Sequence, residues 1–155
     1  GGRQIKQGIL WLKKYLSKTD LLIVNREEAE SIAGLTATFK KEKELINTLC
    51  EYGVKRVVVT DGTFGSFAFD GQKYFKCGVM PIDAIERTGA GDAYSSGIIA
   101  SLLSARTMQE SLLWGVVNSA SVIGFVGAQK GLLNLQQIHI WLDRAHSSQV
   151  KVEEF

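Results

Sequence analysis

Short unbroken apolar runs, set between segments patterned as helices, constrain this chain more than any other feature of its sequence. Leu21-Leu22-Ile23-Val24 and Val57-Val58-Val59-Thr60 read as strands buried on both faces. Around them the period is helical. Ile5, Ile9, Leu12 and Leu16, with Lys6, Lys13 and Lys14 interleaved, predict an amphipathic helix over residues 4–17. Glu27 to Ala33 reads as a short helix ended by Gly34, and Lys41 to Tyr52 as another stopped by Gly53. Ser66–Asp70 and Lys73–Cys77, joined by Asp70-Gly71-Gln72, carry the pattern of a β-hairpin. Pro81, the only proline, precedes a glycine-rich turn, and beyond it the chain is nearly all helical: about 92–105, 108–125 and 135–146. This alternation predicts an α/β layered domain with a mainly parallel sheet, a β-hairpin and C-terminal helices.

The glycine-rich turn is Thr88-Gly89-Ala90-Gly91-Asp92, followed at once by the apolar pattern Ala93 to Leu103. Gly-Ala-Gly lets backbone turn tightly and approach a ligand closely. At a helix start the free N–H groups point outward and the helix dipole favours negative charge, which together suit phosphate. A carboxylate repels phosphate, so Asp92 needs a reason to be there. Taking a proton from an attacking hydroxyl is one. The plain structural alternative is a helix cap or dipole partner.

Composition narrows the partners. A chain of 155 residues, 45% hydrophobic, can bury one good core and reads as a single domain or a fragment of a longer protein. It has no initiator Met, and Gly1-Gly2-Arg3 reads as an interior segment. A formal charge of +2 without a basic run gives no nucleic-acid surface. No apolar stretch reaches membrane-spanning length and no signal peptide is present. Cys50 and Cys77 have no metal-ligand spacing and read as reduced residues of a cytoplasmic protein. Trp11, Trp114 and Trp141 lie on helical patterns as core or subunit-contact residues, and His139 and His146 have no ligand partners at metal spacing. There is neither a Walker A pattern nor a dinucleotide fingerprint.

In α/β sheets, ligands bind at the C-terminal ends of the strands. The first strand runs into Asn25-Arg26-Glu27-Glu28, the second into Thr60-Asp61-Gly62-Thr63-Phe64-Gly65, and the third polar cluster is the Gly89–Asp92 turn. The order NREEAE, VVVTDGTFGS, ERTGAGDAYSSG, NSASVIGFVGAQKG resembles the C-terminal half of a ribokinase-like (PfkB family) carbohydrate or nucleoside kinase over essentially the whole chain.

The resemblance implies an ATP- and Mg²⁺-dependent phosphotransferase acting on a hydroxyl of a sugar or sugar phosphate. Asp92 matches the family's catalytic base, and the N–H groups of Gly89, Ala90, Gly91 and Asp92 match its anion hole. Asn25 and Glu28 match the Asn-x-x-Glu pair that positions phosphates and Mg²⁺ through water, Glu28 being the metal-side residue. By itself Glu28 reads as part of a solvated helix face, with Arg26, Glu27 and Glu30 around it. Thr60 and Gly62, in the cluster that ends at Gly65, match positions meeting nucleotide phosphates and ribose; an ordinary turn is the alternative. Asn118, Gly127 and Ala128 match the lining of the adenine pocket, although an Asn in an apolar helix often only bonds a neighbouring turn.

The chain also departs from the family pattern. Where the family usually has Asp-Thr-Thr before the glycines, this chain has Glu86-Arg87-Thr88. That Asp helps hold a monovalent cation in many members. Glu86 is one methylene longer and Arg87 brings a fixed positive charge, which argues against potassium activation. The resemblance further implies that the N-terminal half and its β-lid lie outside these residues, so that the chain alone has little activity and its uncovered apolar surface favours a homo-oligomer. The alternatives are a nucleoside kinase of the same family and a non-catalytic nucleotide-binding or regulatory module.

Overall fold

The computed structural model describes residues 9–155. They form two compact units, one reaching to Lys76 and including Glu154 and Phe155, the other running from Cys77 to Glu153.

The first unit contains helix α1 (Ile9–Leu16), strand β1 (Leu21–Asn25), helices α2 (Arg26–Ala33) and α3 (Glu42–Glu51), and strands β2 (Arg56–Thr60), β3 (Ser66–Phe69) and β4 (Tyr74–Cys77), the last ending at the boundary. The helix expected over residues 4–17 is present from Ile9 on, and its earlier part lies outside the described residues. Gly34 ends α2 with a left-handed φ of +70°, and its N–H donates to Glu30 O. Burial follows the strand period. Val57 and Val59 join Ala29, Ile32, Leu45, Ile46, Leu49 and Phe67 in one cluster, while Val58, on the opposite face, is also fully buried.

Two expectations about the sheet are corrected. It is mostly antiparallel. β1 and β2 run parallel, with Leu21 opposite Arg56 and Asn25 opposite Thr60, and α2 and α3 supply the crossover that parallel strands need. β2 and β3 are antiparallel, Val57 opposite Phe69 and Thr60 opposite Ser66, because only residues 61–65 separate them. β3 and β4 are joined by the expected tight turn, in which the Asp70 carboxylate accepts the N–H groups of Gln72 and Lys73, both at 2.8 Å. The strand order is β1-β2-β3-β4-β5, with β5 (Val152–Glu154) an element the sequence pattern had not predicted. β1, expected to be buried on both faces, is half-buried along its apolar length. It lies at the sheet's edge with β2 as its one neighbour among the described residues.

The second unit is built on α4 (Ala90–Leu103), α5 (Met108–Ile123) and α6 (Leu135–Ser147). Ala93, Ile98, Leu112, Trp114, Val117 and Val122 are buried in it, with Ile138 and Ala145 contributed by α6. The buried hydroxyls of Ser101 and Ser111 satisfy each other at 2.9 Å. α5 and α6 each open on a reciprocal capping box, Thr107 with Glu110 and Asn134 with Gln137. α4 has no side-chain cap.

Candidate active site

The uncapped start of α4 is the glycine-rich turn. Gly89 is the N-cap, with φ +83° and ψ −3°, and its carbonyl accepts the first helical bond from Ala93 N–H at 2.9 Å. Only glycine fits here for a second reason. A Cβ on Gly89 would lie 2.6 Å from Ala128 O and 2.7 Å from Ala128 Cα. Of the four N–H groups expected in the anion hole, that of Ala90 is engaged within the turn, donating to Arg87 O at 3.2 Å. Those of Gly91 and Asp92 fall in the first turn, before any carbonyl of the helix can accept them. The Asp92 side chain is exposed, with no hydrogen bond or ion pair among the described residues.

Ala128 reaches Gly89 because the segment carrying it is tied down from two sides. Glu86 Oε2 accepts the Gly127 N–H at 2.9 Å. The main-chain N–H groups of Ile85 and Glu86 both donate to Ile123 O, at 2.8 and 3.2 Å. The Thr88 hydroxyl and the Gly127 N–H hold the Glu86 carboxyl below the usual glutamate range. Asn118 is buried and internally satisfied. Its amide donates to Ala93 O at 2.8 Å and Ser96 Oγ at 3.2 Å, and its carbonyl accepts Leu133 N–H at 3.0 Å. It therefore joins α5 to the first turn of α4 and to the segment before α6, the neighbouring-turn role that its sequence setting allowed.

The first unit gathers the other candidates at one end of β1 and β2. Asn25 and Thr60 are direct partners in the register, and Gly62, with φ +55°, opens a short 3₁₀ turn two residues later. Gly65 is buried and shapes that turn, its N–H donating to Gly62 O and its carbonyl accepting Asp61 N–H at 2.8 Å. Asn25 and Glu28 hold each other. Asn25 Oδ1 accepts Glu28 N–H at 2.8 Å, and Glu28 Oε2 accepts Asn25 N–H at 3.1 Å. The Asn-x-x-Glu pair is thus the capping box of α2, which replaces the solvated face as the structural account of Glu28. The spacing itself carried that signal.

The surroundings of that pair are not a solvated face either. The mostly buried guanidinium of Arg26 bonds Asp61 Oδ2 at 2.8 Å, Thr38 Oγ1 at 3.0 Å and Glu42 Oε1 at 3.2 Å, and lies over the Phe67 ring. Glu30 accepts both the N–H and the hydroxyl of Thr38. Arg26 therefore anchors the residue after β2 to the segments around α3, and no sequence period announces such a role. Among the described residues no three His, Cys, Asp or Glu side chains group as a metal cluster, and no helix is long and apolar enough to cross a membrane.

Comparison with known proteins places the chain in a family. A family model described as pfkB family carbohydrate kinase matches residues 9–134. The chain is 27% identical over 133 residues to an ATP-dependent 6-phosphofructokinase of Thermoanaerobacterium thermosaccharolyticum, covering 86% of this chain and 40% of that protein. It is 31% identical to a 5-dehydro-2-deoxygluconokinase of Clostridium perfringens, over 68% of this chain and 32% of the relative. The structure of Arabidopsis thaliana ribokinase complexed with ribose and ATP superposes with a TM-score of 0.78 at 23% identity, covering 84% of this chain and 43% of that one, a likeness of fold. The chain thus spans about two fifths of the length of the first of these relatives.

Proposed function

The chain belongs to the pfkB family of carbohydrate kinases, and from that premise we propose that it supplies the nucleotide-binding part and the catalytic base of an ATP-dependent kinase. The substrate is a sugar or sugar phosphate, in line with the kinases it is similar to. One observation carries the reading: an exposed Asp92 carboxylate, unpartnered among the described residues, in the first turn of a helix that none of their side chains caps. Asp92 takes the proton of the substrate hydroxyl as its oxygen forms a bond to the γ-phosphorus. The bond from that phosphorus to the β,γ-bridging oxygen breaks, and ADP leaves with the electron pair. The N–H groups of Gly89, Gly91 and Asp92 stabilise charge on the transferring phosphoryl oxygens, with Ala90 keeping the turn in shape.

Thr60 and Gly62 meet the nucleotide, with Gly65 closing their turn. Gly127 and Ala128 line the adenine side, and Asn118 supports it from within, holding the first turn of α4 and the segment before α6. Glu28 and Asn25 would hold Mg²⁺ through water. One Glu28 oxygen already serves the cap, so the pair fits an ion that keeps several waters, as Mg²⁺ does. When bound, Mg²⁺ neutralises phosphate charge. The commitment of the Glu86 carboxylate to Gly127 and Thr88 supports a site that needs no monovalent cation. The setting is cytoplasmic, with self-association of the chain and no nucleic-acid or membrane partner.

The test is Asp92→Asn in an intact kinase carrying this chain. Asn keeps the shape but cannot take the proton, so kcat falls by about a hundred- to ten-thousand-fold. ATP affinity stays level or improves, because a negative charge near phosphate is gone. A folded variant with near-normal kcat refutes the assignment.

A further inference from the structure

Two segments of the second unit, far apart in sequence, are joined by one side chain. Glu86 precedes the glycine turn, and Gly127 lies 41 positions further on. The Glu86 carboxylate, standing on the first segment, takes the Gly127 N–H of the second at 2.9 Å and so joins the two. The consequence appears one residue on from Gly127. The Ala128 backbone lies so close to Gly89 that a single Cβ would meet it at 2.6 Å. Such an approach leaves Gly89 little freedom to rotate, and Gly89 is the residue from which the open N–H groups of Gly91 and Asp92 are projected. A carboxylate this near a phosphate turn would ordinarily weaken anion binding by repulsion. Its presence calls for a gain that offsets the repulsion, and a hydrogen bond donated to a charged group is of the strong kind.

We propose that Glu86 is a positioning residue that latches Gly127–Ala128 onto the Gly89 turn and so sets the affinity of that turn for phosphate. The inference rests on the reading of residues 89–92 as a phosphate site. Two substitutions separate the latch from the charge. Glu86→Gln removes the charge but keeps an oxygen able to accept Gly127 N–H, and Glu86→Ala removes both. Inorganic phosphate is titrated into the chain and each variant, with NMR amide shifts at Gly91 and Asp92 giving the affinity and hydrogen exchange reporting on Gly127.

The expected order is Gln equal to or tighter than the unsubstituted chain, and Ala weaker than Gln by a few-fold to roughly tenfold, the scale of one neutral hydrogen bond. Exchange at Gly127 accelerates in Ala and much less in Gln, while amide shifts outside residues 85–92 and 124–131 stay put. Equal affinity in Ala and Gln, with binding intact in the unsubstituted chain, overturns the latch and spares the phosphate site. Phosphate that leaves residues 89–92 of the unsubstituted chain unmoved overturns the site itself. One measurement needs no variant: a Gly127 amide exchanging as fast as a free backbone N–H refutes the latch outright.

Discussion

Adding one methyl group at Gly89 tests the construction of the turn. Gly89→Ala incurs two costs that other glycines of this chain separate. The first is backbone strain, because φ is +83° and left-handed backbone costs an L-residue roughly 1–2 kcal/mol. The second is steric: the new Cβ would meet Ala128 O at 2.6 Å, Cα at 2.7 Å and Cβ at 2.8 Å. Two of those atoms are backbone, in a segment pinned through Gly127, so they cannot swing aside as a side-chain tip would. Overpacking of this kind costs about 1–3 kcal/mol, which brings the expected loss to about 2–5 kcal/mol. Gly34→Ala is the control for strain alone, having φ +70° and nothing within 4 Å of its Cβ. Gly91→Ala is the control for position, with open space and no left-handed backbone. Urea unfolding, followed by far-UV circular dichroism and so by the helices of both units, gives the three values. The expected order of loss is Gly89, then Gly34, then Gly91 close to zero. A Gly89→Ala chain no less stable than Gly34→Ala refutes the close approach to Ala128.

Arg26→Met removes the cation that Asp61 and Glu42 face from mostly buried positions; Glu42 keeps Lys76 Nζ at 3.6 Å, whereas Asp61 loses the ion pair it makes among the described residues, and breaking such a pair costs about 3–5 kcal/mol. Adding Asp61→Asn and Glu42→Gln to that variant recovers part of the loss in urea unfolding, and no recovery counts against the ion pairs. Acid titration is the third measurement. Glu30, bonded by the Thr38 N–H and hydroxyl, and Glu110, bonded by the Thr107 N–H and hydroxyl, are both held below the ordinary glutamate range. A depressed folded value gives stability that is complete above the unfolded value of about 4.3 and is lost as pH falls through the folded one. The urea midpoint is therefore expected to be flat from pH 7 to about 5 and to fall below it, and a rise on acidification refutes the assignment.

Local patterns were legible where the physics is local. Periodicity found the long helices to within two residues at most ends, Gly34 marked the end of α2, and Asp70-Gly71-Gln72 marked the hairpin. Sheet direction was not legible in the same way. Val57-Val58-Val59 is buried on both faces, yet its neighbours run in opposite directions. An apolar run records burial, whereas direction is set by the length of each connection. β1 is as apolar and is half-exposed, since an edge differs from a centre only by what stands beside it. At the candidate site the glycines and Asp92 announced themselves by residue type. The partners of Arg26 and Glu86 did not, because they stand 35 and 41 positions away, and no short pattern spans such distances.

The reciprocal bonds between Asn25 and Glu28 bear on the entropy of ligand capture. A free carboxylate or amide at a strand end samples several rotamers, and freezing it when a ligand arrives costs about 0.5–1.5 kcal/mol per side chain. Here each side chain already holds the other's N–H, so that ordering happens when the chain folds. A hydrated ion or phosphate would meet two groups whose directions are set before it comes, with one Glu28 oxygen outside the cap to receive it. If this pair receives a ligand as proposed, the same three-residue spacing that starts a helix puts the conformational cost of capture into folding rather than into binding.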